Sequence, residues 1–572
     1  MTLTITVDSV SVLDNLDKVV ATLTESAEDV VVLAGDLVIN PAVLSPIIDN
    51  TGAGTCAAVR RSQQGNVRVL HHSLVAVGTS FHAVDSPNAV SVGALRIARR
   101  DHSSALPTIR ALRDFISNST ITVDSTETIE LLTTALLRSQ IPIKEIEIID
   151  APWFRSPEDS ELAQEQVHSM TETSIRKLQA NRIDDGFYST FVVRRLSKPL
   201  TSVAIRWGLS PNLITMVSFI IGLLAAVSFA AGNRWLLVLG AILLQVSLVI
   251  DCVDGEVARA TRRFSTLGAW LDASTDRVKE YAVYAGLASG AVAMGVDSWR
   301  AWSLALVLMV VQTARHMGDY NFAAIQKIRE VGLPAAKIDD PTDPWGAQKG
   351  AIARSTQINN RPVIRWIKKV IHMPIGERWL VLSVVAAIFN GYWALLALLV
   401  LTSFAWIYTL GGRVLRTLRW SGEPAGVQII SDQLDGGPLV GLLPSRLKIA
   451  PTSRWNWAFP MFLRIVEMGL VAWIAVYLFP QWETLAFGYL FIVAFHHYDN
   501  LYRALGGSRA PRWISWSALG VDGRTLIIVI ASWLGITAFH DTLNIGVAWL
   551  FMWCVVIASA QYLGAQRKLE LL

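Results

Sequence analysis

The chain has 572 residues, 52% of them hydrophobic and 17% charged, with 21 tryptophans and a formal net charge of +4. That balance excludes a wholly soluble protein and gives no electrostatic reason to expect a nucleic-acid partner. Cys56, Cys252 and Cys554 stand in no metal-like spacing, which argues against a zinc site or a disulfide framework.

The apolar residues are unevenly spread. Residues 1–165 read as alternating strands and helices, an α/β domain with a soluble composition. Asp29-Val-Val-Val-Leu-Ala-Gly-Asp36 is predicted as a buried parallel strand ending in a turn, with a helix from Pro41 to Ile48 after it. Thr55–Arg60, Val67–Val75, Ala89–Ile97 and Ile143–Ile149 are further strand candidates. A Gly-Asp pair at the carboxyl end of a strand is where an α/β sheet places ligand chemistry. Gly52-Ala-Gly-Thr55 is too short for a phosphate loop and reads as a turn. Residues 1–20 hold no basic stretch followed by an apolar core, so no signal peptide is expected and the domain is assigned to the cytoplasm.

Residues 166–209 are read as a connector, polar and helical over Gln164–Arg182. Phe187–Gly208 then mixes Phe, Val, Leu, Ile and Trp with Arg194, Arg195, Lys198 and Arg206. This is the pattern of a helix lying along a membrane surface, its basic residues toward anionic headgroups. Ser210-Pro-Asn-Leu-Ile-Thr215 opens the first spanning helix with a proline in its first turn. Six spans are predicted in a domain over residues 210–420, at 213–231, 235–254, 266–295, 299–322, 377–391 and 393–412. Ile325–Met373 is read as a long loop and residues 421–454 as a Gly/Pro-rich linker. Four more spans, at 456–479, 483–500, 525–540 and 543–563, make up a C-terminal domain over residues 455–572. The fold expected is therefore a polytopic α-helical membrane protein of ten spans with an N-terminal cytoplasmic α/β domain. Basic residues gather in the loops on one side, which places that side and both termini in the cytoplasm.

The second and third spans carry the chemistry. Asp251-Cys-Val-Asp-Gly-Glu-Val-Ala-Arg259 closes one, and Gly268-Ala-Trp-Leu-Asp272-Ala-Ser-Thr-Asp276 opens the next. Asp251 and Asp254 are spaced i, i+3, and Asp272 and Asp276 i, i+4, so each pair shares a helix face. Four carboxylates this close cannot all stay ionised unless cations sit among them. Hard oxygen ligands with room for water suggest Mg²⁺ or Mn²⁺, the usual partners of a diphosphate substrate.

The pattern D-x-x-D-G-x-x-A-R, eight residues, then G-x-x-x-D-x-x-x-D resembles the signature of CDP-alcohol phosphotransferases. Every fixed position is present: Asp251, Asp254, Gly255, Ala258, Arg259, Gly268, Asp272 and Asp276. The resemblance implies a membrane enzyme that displaces CMP from a CDP-linked donor by an acceptor hydroxyl. It implies two divalent ions among the four aspartates, with Asp276 also the general base. Gly255, Ala258 and Gly268 would let the nucleotide approach, and Arg259 would hold phosphate oxygens. Pro211, Asn212 and Thr215 look like the family's P-N-x-x-T start beside the nucleotide. The donor is a CDP-diacylglycerol or a CDP-polyol, the acceptor a polyol phosphate or a lipid alcohol, and the family implies a homodimer among membrane lipids. Arg315, His316 and Arg378, at the cytoplasmic ends of the fourth and fifth spans, are the acceptor-binding candidates.

Residues 30–165 also resemble the sugar-phosphate nucleotidyltransferase fold, as fused to this membrane domain in inositol-phosphate cytidylyltransferase/di-myo-inositol-phosphate-phosphate synthase proteins. Leu33-Ala-Gly-Asp36 looks like the strand whose Asp holds a metal, and Trp153-Phe-Arg-Ser-Pro-Glu-Asp159 like the closing segment. The glycine-rich loop with Arg and Lys is missing from residues 1–35, and Arg155 and Ser156 stand where metal-binding acids belong. The domain is therefore expected to be inactive, left to dock a separate cytidylyltransferase or to support a dimer. In the C-terminal helices, His496-His-Tyr-Asp499, Tyr502, Arg503 and Asp522-Gly-Arg524 read as polar helix contacts, with a second catalytic site as the other reading. A transporter would need polar residues along a whole membrane path, and an inert scaffold an altered aspartate; neither is seen.

Overall fold

The computed structural model describes residues 2–49, 54–62, 65–70, 73–80, 82–84, 87–119, 122–139, 141–148, 151–172, 174–175, 186–261, 263, 265–332, 366, 369–418, 420, 426–439, 453–505 and 508–570. Gly52, Arg262, and most of the predicted segments Ile325–Met373 and Ser421–Ser453 lie outside the described residues. The chain divides into two compact units, one containing residues 1–181, the other 182–328 and 356–572.

Runs of Val, Ile and Leu build the first unit around a seven-stranded sheet. Its elements are β1 (Thr2–Val7), α1 (Val12–Glu25), β2 (Asp29–Ala34), β3 (Leu37–Ile39), α2 (Ser45–Ile48), β4 (Cys56–Arg61), β5 (Val67–Leu70), β6 (Ser73–Val77), β7 (Ala89–Ile97), α3 (His102–Asn118), α4 (Thr128–Arg138), β8 (Lys144–Glu147), β9 (Trp153–Arg155) and α5 (Ser160–His168). The strand order is β1-β2-β7-β4-β8-β6-β5. The sheet is mixed: β2 runs parallel to β1 but antiparallel to β7. Val30, Val31 and Val32 are fully buried, as a strand covered on both faces requires.

Two predicted elements take a different form, and a short ribbon is added to them. Val67–Val75 divides into the antiparallel strands β5 and β6. Pro41–Ile48 begins as a 3₁₀ turn, Pro41–Leu44, before the short α2; Pro at its first position suits a helix start. β3 and β9, too short to read from alternation, pair as a separate ribbon with Leu37 opposite Arg155.

The second unit is helical. A π-type turn over Ser189–Val193 runs into α6 (Arg194–Arg206), then α7 (Pro211–Ala230), α8 (Arg234–Thr261), α9 (Thr266–Ala293), α10 (Ser298–Gly332), α11 (Ile375–Ile388), α12 (Gly391–Leu418), α13 (Val427–Asp432), α14 (Ala458–Trp473), α15 (Glu483–Leu505), α16 (Arg512–Ser517), α17 (Gly520–Leu534), α18 (Ile536–Leu550) and α19 (Ala558–Glu570). Among the described residues, six helices are long and apolar enough to cross a membrane: 211–230, 234–261, 391–418, 458–478, 512–534 and 536–566. The other four predicted spans are helices too. However, α11 has 14 residues, and α9 bears Asp272, Asp276, Arg277, Lys279 and Glu280.

Boundaries shift where glycine or length intervenes. The predicted span 525–540 is interrupted at Gly535, whose φ of 109° breaks it into α17 and α18. The fourth span continues as helix to Gly332, into what had read as loop. Gly286 and Gly290 draw α9 against α7, since a Cβ there would meet Ala226 O at 2.2 Å and Phe229 O at 1.9 Å. Small residues at such crossings let helix backbones touch. One hydrophobic core runs from Ala225 and Leu244 through Tyr281 and Leu395 to Tyr498, Phe539 and Cys554, so the four C-terminal helices pack into the same body as α7–α12.

Candidate active site

The end of α8 and the start of α9 bring the aspartates together. One carboxylate oxygen each from Asp251, Asp254 and Asp272 lies within 4.8 Å of the others. Asp276 is outside that group of three. It faces Lys279 instead, its Oδ1 3.0 Å from Nζ in a buried ion pair.

Helix α7 supports the acids from beneath. Ser210 caps its first turn by accepting from the Leu213 amide, which fixes where the helix begins. Thr215 Oγ1 then donates to Asp254 Oδ2 at 2.5 Å, and Ser218 Oγ to Asp251 Oδ1 at 3.1 Å. Asn212 Oδ1 would stand 3.1 Å from a Cβ on Gly268, so the glycine lets the starts of α7 and α9 close up. Gly255 lies under the Arg259 guanidinium, whose Nη1 would be 3.1 Å from an added Cβ. Pro211 occupies the first turn of α7, and Ala258 is partly buried one turn beyond Asp254.

Lys279 was not anticipated. Its ammonium is fully buried, 2.5 Å from Asp251 Oδ1, 3.0 Å from Asp276 Oδ1 and 3.0 Å from Ser218 Oγ. Its stem passes Gly222, where a Cβ would approach Lys279 Cδ to 2.8 Å. The signal was present: Lys279 follows Asp276 at i+3 within a predicted span, where an ionisable residue asks for a partner. The site thus sets the Lys279 ammonium, with Arg277 Nη2 3.9 Å from Asp276 Oδ2, against four carboxylates. That surplus of hard oxygen donors, three of them converging, fits a divalent cation.

The acceptor candidates divide. Arg378 is engaged by Glu280, with Nε 2.9 Å from Oε1, and donates to Met373 O at 3.0 Å. His316 is buried among Arg277, Gln312 and Tyr498, with contacts of 3.0, 2.7 and 2.8 Å. Both therefore hold the helices together around Glu280, which also receives Arg277 at 2.5 Å and the Tyr284 hydroxyl at 2.9 Å. Arg315 bonds the His372 carbonyl, and its Nε and Nη1 have no hydrogen-bond partner among the described residues. Asp319 lies 3.7 Å from it and pairs with Arg413 at 2.5 Å.

The surface helix departs from the expected pattern at one residue. Arg194 is buried on Glu256 at 2.5 Å, where Ser197 also donates at 2.8 Å. Arg195, Lys198 and Arg206 remain exposed, beside exposed Leu196, Leu200, Val203 and Trp207.

In the first unit, Asp36 borders a cleft of about 480 Å³ lined also by Glu127, Glu130, Trp153 and Arg155. The β3–β9 pairing places Arg155 on Asp36, its Nε 2.8 and 2.9 Å from the two carboxylate oxygens. Ser156 Oγ donates to the same carboxylate at 2.7 Å, and Arg155 Nη1 reaches Glu130 at 3.1 Å. Burial works against the guanidinium charge, but Glu130 and Asp36 outweigh it and raise the Arg155 pKa above its ordinary value. Asp36 is thus already neutralised by a side chain of its own domain.

Residues 208–339 match the family model described as CDP-alcohol phosphatidyltransferase. Residues 447–567 match a family of unknown function (DUF5941). The bifunctional IPC transferase and DIPP synthase of Aquifex aeolicus is 30% identical over 36% of this chain and 45% of its own length. The archaetidylinositol phosphate synthase of Pyrococcus horikoshii is 34% identical, over 20% of this chain and 55% of that one. The phosphatidylinositol phosphate synthase of Mycolicibacterium smegmatis is 35% identical, over 18% and 46%. The chain spans about half the length of these curated relatives. The solved inositol-1-phosphate CTP transferase from T. maritima is 14% identical with a TM-score of 0.19, over 28% of this chain and 62% of that one, a likeness too slight to carry an argument.

Proposed function

We propose that this chain, whose residues 208–339 are a CDP-alcohol phosphatidyltransferase domain, is an integral membrane enzyme that transfers a phospho-alcohol from a CDP-linked donor to an acceptor hydroxyl. The observation that carries this reading is the convergence of Asp251, Asp254 and Asp272 within 4.8 Å, with Asp276 beside them. Those three aspartates would hold the Mg²⁺ or Mn²⁺, two ions in all. When bound, the metal supplies Lewis-acid stabilisation of the charge that grows on CMP.

The protein's own residues do the rest. Arg259, next to Gly255, holds donor phosphate oxygens through its planar donors. Asp276, oriented by the Lys279 ammonium, takes the proton of the acceptor hydroxyl. The acceptor oxygen bonds to the phosphorus that carries the donor alcohol, the P–O bond to CMP breaks, and CMP leaves. Thr215 and Ser218 fix the orientation of Asp254 and Asp251.

The relatives named as phosphatidylinositol and archaetidylinositol phosphate synthases favour a CDP-linked lipid donor and a polyol-phosphate acceptor. Arg315, whose Nε and Nη1 donate no hydrogen bond among the described residues, is the acceptor-phosphate residue; His316 and Arg378 hold the helices around it. The chain crosses the membrane ten times, with the aspartates and the N-terminal domain on the cytoplasmic side, and works as a homodimer. Domain limits follow as 1–165, 166–209, 210–420, 421–454 and 455–572. Arg195, Lys198 and Arg206 on α6 meet anionic headgroups while its exposed leucines enter the lipid. The Arg155–Asp36 pair supports an inactive N-terminal domain, left to dock a separate cytidylyltransferase or to support a dimer.

The test is CMP release from the purified protein with Mg²⁺ or Mn²⁺ and a panel of CDP-donors and polyol-phosphate or lipid acceptors. Asp254→Asn, folded in detergent, should release none. Absence of CMP release with every donor, or near-parental turnover in Asp254→Asn, would defeat the assignment.

A further inference from the structure

The C-terminal helices meet the aspartate-bearing helix α9 at two buried points, one on each side of its carboxylates. Trp270 stands two residues before Asp272, and its Nε1–H donates to Asp499 Oδ1 on α15 at 2.8 Å. Tyr281 stands five residues after Asp276, and its hydroxyl lies 3.1 Å from that of Tyr498 on α15. Tyr498 in turn reaches His316 at 2.8 Å.

Asp499 is itself held. Arg503 grips both its oxygens, at 2.9 and 2.8 Å, and both side chains are 2% exposed. Arg503 also donates to Ala558 O and Gln561 Oε1, each at 2.8 Å, and lies 4.6 Å over the Tyr562 ring. That ring is 5.1 Å from Trp270. The chain of contact thus runs from α19 through Arg503 and Asp499 to the first turns of α9.

Helix α15 is anchored on its other side by charges that match one another. Arg524 bonds Asp435 and Glu467, each at 2.7 Å. His496 reaches Asp435 at 3.0 Å and His497 reaches Glu467 at 2.7 Å. With each carboxylate paired to Arg524, the cluster fastens α15 to α14 and α17.

We infer that the four C-terminal helices are a positioning element for the transferase site, with Asp499 as the positioning residue that sets the rotation of α9. The inference rests on the transferase reading above. Asp272 and Asp276 share one face of α9, so a small rotation of that helix would turn both away from Asp251 and Asp254 on α8. Ligand sets tolerate displacements of only a few tenths of an ångström. The supporting groups around a metal site are correspondingly sensitive, commonly about 10- to 100-fold in affinity.

The experiment compares Trp270→Phe, Asp499→Asn and Asp499→Leu in the full-length protein. Trp270→Phe removes the indole donor and part of the ring but leaves the Asp499–Arg503 pair intact, so no charge is stranded as Arg503 is in Asp499→Leu. Mn²⁺ affinity is read by electron paramagnetic resonance, and amide exchange over residues 266–280 by mass spectrometry. Trp270→Phe and Asp499→Leu should weaken Mn²⁺ binding about tenfold or more and speed exchange in α9. Asp499→Asn, which still accepts from Trp270, should restore most of the affinity. Unchanged Mn²⁺ affinity and exchange in Trp270→Phe overturn the inference. So does an equal loss in the Asn and Leu variants that follows their melting temperatures. A parent protein that binds no Mn²⁺ defeats the transferase reading instead, and the exchange of α9 then decides the positioning role by itself.

Discussion

Replacing Lys279 with methionine isolates the least expected feature of the site. Methionine keeps an unbranched apolar stem in the groove beside Gly222 and removes the ammonium that touches Asp251, Asp276 and Ser218. Taking one partner out of a buried ion pair costs about 3–5 kcal/mol, because the other charge is left without compensation. Here two carboxylates lose the same partner, so the metal-free protein should fall by at least the lower figure. Ion binding should move the other way. A unit charge about 4 Å away contributes about 4 kcal/mol at an effective dielectric constant of about 20. Only a third of that is needed to strengthen binding tenfold, at about 1.4 kcal/mol per decade.

The assay is thermal unfolding of parent and variant in detergent, with EDTA and with rising Mn²⁺. A ligand stabilises the folded state by RT ln(1 + [L]/Kd), so a tighter site yields more stability at each concentration. Lys279→Met should melt well below the parent in EDTA, and the gap should narrow as Mn²⁺ saturates. Its turnover should fall, since Asp276 loses the group that orients it. A gap of the same size in EDTA and in saturating Mn²⁺, with an unchanged Mn²⁺ Kd, would refute the placement of Lys279 beside the ion.

Three further outcomes are expected. Asp276→Asn should abolish CMP release yet leave Mn²⁺ and donor affinity within a fewfold of the parent, because Asp276 lies outside the converging three; loss of donor binding as complete as in Asp251→Asn would make it a ligand. The full-length protein given CTP, Mg²⁺ and a polyol phosphate should release no pyrophosphate above background, since Arg155 occupies the Asp36 carboxylate; sustained release would restore a second activity. Burial raises the Asp29 pKa, but the Arg99 amide and Arg96 outweigh that and leave it below the ordinary value. Its contribution is therefore present above the unfolded pKa of about 3.9 and lost as pH falls through the lower folded value. Asp29→Asn should flatten that acid limb, read as amide exchange in β2 and β7; an unchanged slope would count against the pair.

The aspartate site was legible because its residues are local. Asp251 and Asp254 lie within one turn of α8, Asp272 and Asp276 within one turn of α9, and helical spacing alone puts each pair on one face. Thr215 is singled out in the sequence only by resemblance, as a neighbour of the nucleotide; its bond to Asp254 emerges once α7 is laid against α8. Lys279 was equally local, but a lysine in an apolar stretch names no partner until α8 is laid against α9. The sheet was less legible for a related reason. β2 and β7 read clearly as buried runs, whereas β3 and β9 have three residues each and owe their strand form to each other.

The same distinction separates the two readings of the C-terminal helices. His496, Asp499 and Tyr502 lie on neighbouring turns of one helix, which suggests a catalytic face when α15 is considered alone. Their partners come from elsewhere: Asp435 before α14, Trp270 on α9, Tyr320 on α10 with its ring 5.9 Å from Tyr502. A catalytic constellation keeps a group in reserve for substrate. Asp499 instead spends both oxygens on Arg503 and one of them again on Trp270. A carboxylate buried at 2% exposure and held by an arginine and an indole N–H can hold a helix in place, out of reach of a substrate. The residues that looked like a second site therefore complete the first.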